Sequence, residues 1–143
     1  MTTLKVSEEQ LRLIQRALDF YSRVGVGQFD EIKNHPTFTN QLRNEFKDEN
    51  GKTDYDRYHE VRDIVDIILV QPRNMLLGDL KLPKNASWGI HNPDVDDSCR
   101  DAYDLIQVIR HEFWKRDPDR SNITVDSSVH LTNSKNSNIE VEL

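Results

Sequence analysis

Four side chains near residue 110 have the types and spacing to do chemistry together. Tyr103, Gln107, Arg110 and Trp114 follow at intervals of 4, 3 and 4 residues, which on a helix puts them in one row. A ring, an amide and a guanidinium in a row suit an adenine and a phosphate. Arginine stacks on a base or forks onto phosphate oxygens, which lysine does less well. Arg100 and Asp104 lie beside the row and can pair at i, i+4. Just upstream, Trp88, Gly89, His91 and Asn92 lead into a helix start, an end that favours anions. The same residues also read structurally: an aromatic stripe packed on another subunit, Arg110 in a salt bridge, Trp88 as a core anchor and Asn92 as a helix cap.

A second constellation is "SRVGVGQ", with Arg23, Gly25, Gly27 and Gln28. It is not a phosphate loop of the usual kind, because no strand precedes it and no lysine-serine/threonine pair ends it. Glycines without Cβ would let backbone amides approach an anionic ligand, with Arg23 and Gln28 as side-chain donors. The structural reading is a helix cap at Gly25 and a turn at Gly27.

Other chemistries find little support. The five histidines are scattered, and "HEFWK" starts like a zincin helix but has Lys115 where the second histidine belongs. Neither a metal nor another cofactor is expected. Cys99 sits near a helix start, where a thiolate is favoured, yet a small residue there more often serves packing. The carboxylates of "DVDD" and "DYD" fall in first helical turns, where they complement the dipole. No acid–base pair stands out, so the chain is read as not an enzyme, with no catalytic residues.

Positioning these groups requires helices. Ser7 and Gln10 form a capping box ahead of a helix to about Arg23, with Leu11, Ile14, Leu18 and Tyr21 at helical spacing. "QFDEIKNHP" predicts one or two further turns stopped by Pro36. A second long helix starts near Thr53 or Asp54, turns Val61, Ile64, Val65, Ile68 and Leu69 inward, and stops before Pro72. A third is capped by Asn92 with Pro93 in its first turn, carries Ala102, Leu105, Ile106, Ile109 and Phe113 on one face, and ends before Pro118. The tail then alternates at Ile123/Val125, Val129/Leu131 and Ile139/Val141/Leu143, which predicts two or three short strands, with Leu4–Val6 as a candidate N-terminal one. The expected fold class is α+β: two or three long helices and a small antiparallel sheet.

A length of 143 residues suits a single domain over 1–143. The net charge of -6 argues against coating DNA or RNA, which needs a broad basic surface. It does not exclude a small anion held by local arginines. The longest apolar run, "IVDIILV", is too short to span a membrane. One cysteine excludes an internal disulfide framework, and no apolar signal core opens the chain, so a cytoplasmic protein is expected. The third helix carries apolar residues on one face and aromatics on another, more than so short a chain easily buries. A homo-oligomer follows as an expectation.

Two blocks, "LKVSEEQLRLIQRALDFYSRVGVGQFDEI" and "GIHNPDVDDSCRDAYDLIQVIRHEFW", resemble the first-described type of Thoeris anti-defence protein. These are phage-encoded sponges. The resemblance covers under half of the chain and carries no catalytic signature. It implies non-catalytic sequestration of cyclic ADP-ribose variants made by bacterial TIR-domain immune enzymes and, in some members, of cyclic oligonucleotides at separate sites. It also implies oligomers with pockets between protomers, working in the host bacterial cytoplasm. Carried over, Asn92 and Arg110 match the nucleotide pocket, with Asp104 and Arg57 as further candidates. Arg23, Gly25, Gly27 and Gln28 are assigned to the second, cyclic-oligonucleotide site. The family's base-stacking aromatic is expected near Leu82, so Trp88 or Tyr103 would have to replace it here.

The competing expectation is a small acidic phage protein that inhibits a host enzyme by imitating nucleic-acid charge. That requires one dense acidic face, whereas the 25 acidic residues are interspersed with 19 basic ones.

Overall fold

A computed structural model describes residues 4–120 and 126–132. Five α-helices account for most of them: α1 (Glu8–Gly25), α2 (Asp30–Asn34), α3 (Pro36–Glu45), α4 (Tyr55–Leu76) and α5 (Asp97–Arg116), followed by a 3-10 turn at Pro118–Arg120. The expected α+β class is therefore corrected to all-α. Among the described residues the one β-type pairing is an isolated antiparallel bridge between Lys47 and Thr53. Leu4–Val6 belongs to no strand, and neither do Val129 and Leu131. The remaining candidate strand residues, Ile123/Val125 and Ile139/Val141/Leu143, lie outside the described residues.

The chain divides into two compact units, one made of Met1–Gly25 with Gly89–Leu143 and the other of Val26–Trp88. In the first, α1 and α5 pack antiparallel. Ser7 Oγ accepts from Gln10 N at 3.2 Å and Gln10 Oε1 accepts from Ser7 N at 2.8 Å, the expected capping box. At one end the Arg12 guanidinium lies over the Phe113 ring at 3.9 Å. At the other, the Tyr21 and Ser98 hydroxyls are 2.7 Å apart. Leu11, Cys99, Ala102, Ile106 and Ile109 are buried, as the apolar period predicts for α5. Gly25 meets Cys99: a Cβ added at Gly25 would stand 2.1 Å from Cys99 Sγ.

The cap of α5 differs from expectation. Asp96, not Asn92, holds the N-cap, accepting from Ser98 N at 2.9 Å. Asn92 instead closes an Asx turn, accepting from Asp94 N at 2.9 Å. Either residue type can cap, so the choice fell to the three-dimensional path. The side-chain and backbone hydrogen bonds from Ser98 hold the Asp96 carboxyl below its ordinary range. Burial, and then the Asp96 charge, push the Cys99 thiol up, the reverse of an activated thiolate. Cys99 is accordingly expected to resist iodoacetamide at neutral pH in the folded protein and to react fully in denaturant. Alkylation of the native chain at the rate of a free thiol would overturn that.

In the second unit, α2 is the expected short helix and ends at Asn34, before Pro36, which in addition opens α3 at its first turn. A proline is cheap there because its missing N–H has no partner to lose. Helix α4 begins after Asp54, whose carboxylate accepts from Arg57 N at 3.2 Å. It then runs through Pro72 to Leu76 instead of stopping before the proline. Its faces also differ from expectation. Val61, Val65 and Leu69 are half-buried, but Ile64 and Ile68 stand out at 48% and 62% exposure beside Ile67 at 72%. The inward side is completed by Tyr58, Arg73 and Asn74. Trp88 N donates to Val26 O at 2.8 Å and ties the ends of this unit together.

Candidate ligand cavity

The residues singled out by sequence fall in both units. Arg23, Gly25, Asn92, Tyr103, Asp104 and Arg110 belong to the first, while Gly27, Gln28, Arg57 and Trp88 belong to the second.

In the first unit the row on α5 is engaged internally. Gln107 is buried, and Tyr103 and Trp114 are half-buried. Trp114 stacks on His111 with ring centroids 5.5 Å apart, and its Nε1 has no hydrogen-bond partner among the described residues. Arg110 pairs with Asp126 at 2.6 Å, and His111 Nδ1 lies 3.1 Å from the Asp126 carbonyl. The i, i+4 pair of Arg100 and Asp104 does not form. Arg100 binds Asp97 at 2.6 Å and the Asn92 carbonyl at 2.6 Å. Asp104 is fully buried and accepts from Thr132 N at 2.7 Å and Thr132 Oγ1 at 3.0 Å. Arg23 pairs with Asp19 at 2.8 Å.

In the second unit Arg57 lies over the Phe46 ring at 5.6 Å. Gly27 and Gln28 line a cavity of about 160 Å³ together with Asp30 and Glu31 at the start of α2, residues of α4 and the loop through Lys84 and Ser87. Gly27 has φ +89°, and a Cβ there would meet Leu77 Cδ2 at 2.8 Å. Only glycine suits that turn.

The wall contributed by α4 includes Arg73, which sequence reasoning missed. Its side chain is 3% exposed. Nε donates to Asn74 Oδ1 at 3.0 Å, Nη2 to the Pro83 carbonyl at 2.6 Å and Nη1 to the Lys84 carbonyl. Asn74 Nδ2 in turn donates to the Leu80 and Leu82 carbonyls at 3.2 and 2.9 Å. These bonds fix the 80–84 loop onto α4. Among the described residues Arg73 makes no ion pair, and its hydrogen bonds go to the Asn74 side-chain oxygen and two backbone carbonyls, while Asp30, Glu31 and Asp66 share the cavity lining. A buried cation is normally paired. Asp66, another wall residue, is already held by Lys33, and both are mostly buried. Lys84 stands exposed at the rim. The one local signal for Arg73 was an arginine directly after a proline within an apolar helix.

Among the described residues no cluster of His, Cys, Asp and Glu could hold a metal ion, and no helix is long and apolar enough to cross a membrane. Compared with family models, curated proteins and solved structures, the chain matches none of them.

Proposed function

We propose that this chain is a non-catalytic binding protein that sequesters cyclic nucleotide immune signals, cyclic ADP-ribose variants and cyclic oligonucleotides, in the cytoplasm of a phage-infected bacterium, and that a ligand phosphate enters the cavity beside Arg73. The observation that carries this is a buried guanidinium on the wall of the cavity whose hydrogen bonds go to carbonyl oxygens and not to a carboxylate, while of the acids sharing the lining Asp66 is held by Lys33 and Asp30 and Glu31 stand in the first turn of α2. An anion there gains a charge-assisted contact without breaking an ion pair of Arg73. Lys84 adds a second cation, and the Gly27 turn with Gln28 adds uncharged wall. By contrast, a phosphate at Arg110 must displace the Asp126 carboxylate.

Size sets the mode of binding. Sites that enclose drug-sized ligands measure roughly 300–1,000 Å³, so a cavity of 160 Å³ takes a phosphate and its sugar, not a whole dinucleotide. The base then lies outside. Release of the ligand unchanged follows if no bond is broken.

The test is to incubate the protein with each signal, heat it and identify the recovered small molecule by mass spectrometry. Intact recovery from the protein fraction is expected. A shortened product would make it an enzyme, and depletion of no signal would leave the inhibitor of a host enzyme as the better reading. Lys84→Ala is expected to weaken binding up to about fivefold, the worth of one exposed charge, with an unchanged melting temperature. Lys84→Arg should restore it. Unchanged affinity in Lys84→Ala places the ligand elsewhere.

A further inference from the structure

The cavity beside Arg73 has two chemically different ends. Asp66 and Arg73 both line it and stand two turns apart on one face of α4, roughly 10 Å along the axis. At the Asp66 end, α2 adds the carboxylates of Asp30 and Glu31. Lys33 holds α2 there: its ammonium binds Asp66 and lies 3.8 Å from Asp30. Arg62 holds it too, with Nη1 donating to the Lys33 carbonyl at 3.0 Å. At the other end, Arg73 directs four of its five N–H groups at Asn74, Pro83 and Lys84. One Nη1 proton is left for a ligand, with the exposed Lys84 in the same lining. Between the two ends, Leu69 and Val70 supply carbon surface.

We infer that the acid end reads the sugar: with the ligand phosphate beside Arg73, on which this inference rests, Asp30 and Glu31 accept hydrogen bonds from ribose, and the cavity prefers ribose to 2-deoxyribose. A phosphate is repelled from that end by the carboxylates. The group that suits them donates hydrogen bonds and brings no negative charge. An ammonium is already supplied there by Lys33, so a neutral hydroxyl is the matching donor. An ionised carboxylate has about four acceptor positions, so each acid can keep the bonds it has and accept another. A carboxylate on the 2′-hydroxyl is also how dinucleotide folds read ribose, and that hydroxyl is what separates ribose from deoxyribose ligands. The order of groups along a ribose phosphate is phosphate, carbon ring, hydroxyl. The order along the wall is the same: Arg73, then Val70 and Leu69, then the acids around Asp66.

The probes are ribose 5-phosphate and 2-deoxyribose 5-phosphate, titrated through the millimolar range where fragments of this size bind. The backbone amides of Gly27, Gln28 and Ser87 are followed by NMR. Ribose 5-phosphate is expected to shift them and to bind at least about fivefold tighter than the deoxy sugar, as for a hydrogen bond to a charged acceptor. In the double variant Asp30→Asn, Glu31→Gln that preference should fall below about twofold. Its affinity for 2-deoxyribose 5-phosphate should hold or rise, because two negative charges have left the cavity. A variant that had only lost its fold would lose both ligands. Equal binding of the two sugars by the native chain would overturn the inference and leave the phosphate beside Arg73 standing. So would a preference that survives the double variant. Phosphoethanolamine binding more tightly than ribose 5-phosphate would place an amine at the acid end and overturn it as well. Shifts at none of these amides with any probe would remove both the inference and the reading on which it rests.

Discussion

Replacing Gly25 with alanine is expected to destabilise the first unit by about 3 kcal/mol in urea unfolding, the upper end for an added methyl in a packed contact. The new Cβ would stand 2.1 Å from Cys99 Sγ and 3.3 Å from Cys99 Cβ. No backbone penalty is involved, because Gly25 is helical and has no positive φ. The loss should therefore be relieved by shrinking the other side of the contact. Cys99→Ala removes the sulfur and should recover at least about 1 kcal/mol of the loss, a coupling typical of touching residues. A strictly additive pair would show that Gly25 does not act through Cys99. Gly27→Ala is different in kind. It adds a left-handed backbone, which costs about 1–2 kcal/mol in a non-glycine residue, to a 2.8 Å approach to Leu77. The two glycines thus do separate work: Gly25 admits a neighbouring helix, and Gly27 turns the chain along a cavity wall.

That division explains which features could be seen in the sequence. Ser7 with Gln10, and Asp54 ahead of α4, were legible because a cap is a short-range bond between fixed positions. Pro36 ends α2 as expected and also opens α3, which was not foreseen, whereas Pro72 was misread because its effect depends on surroundings. Pro36 stands where no N–H is missed. Pro72 removes one helix bond, but the next two residues anchor the last turn through the 80–84 loop. The inward face of α4 was misjudged because Ile64 and Ile68 repeat as a core stripe does, and repetition alone does not say which stripe meets the core. Gly27 and Gln28 drew notice as residue types. Arg73 and Lys84 did not, since their place at the cavity comes from bonds to carbonyls about ten residues away, which no local motif encodes.

The alternation at Val129 and Leu131 misled for a related reason, and it leads to the other large effect. Both residues are 36% exposed, with no strand beside them among the described residues. Side chains of α5 fix this segment instead: Arg110 on Asp126 and Asp104 on Thr132. Asp104→Ala is expected to destabilise the first unit by about 3–5 kcal/mol. It removes two hydrogen bonds to a charged acceptor and strands the buried Thr132 N–H and hydroxyl. Asp104→Asn should cost clearly less. Its carbonyl can still accept from Thr132 N, and the Thr132 hydroxyl can rotate to accept from the new amide. Arg110→Ala should cost less again, because Arg110 is a quarter exposed and solvent screens its pair with Asp126. Urea unfolding of the three variants checks the order, and hydrogen exchange at the Thr132 amide checks the cause. In Asp104→Ala that amide should lose protection before the α5 core does. If it exchanges only with global unfolding, Asp104 is not what holds residues 126–132 to the helix.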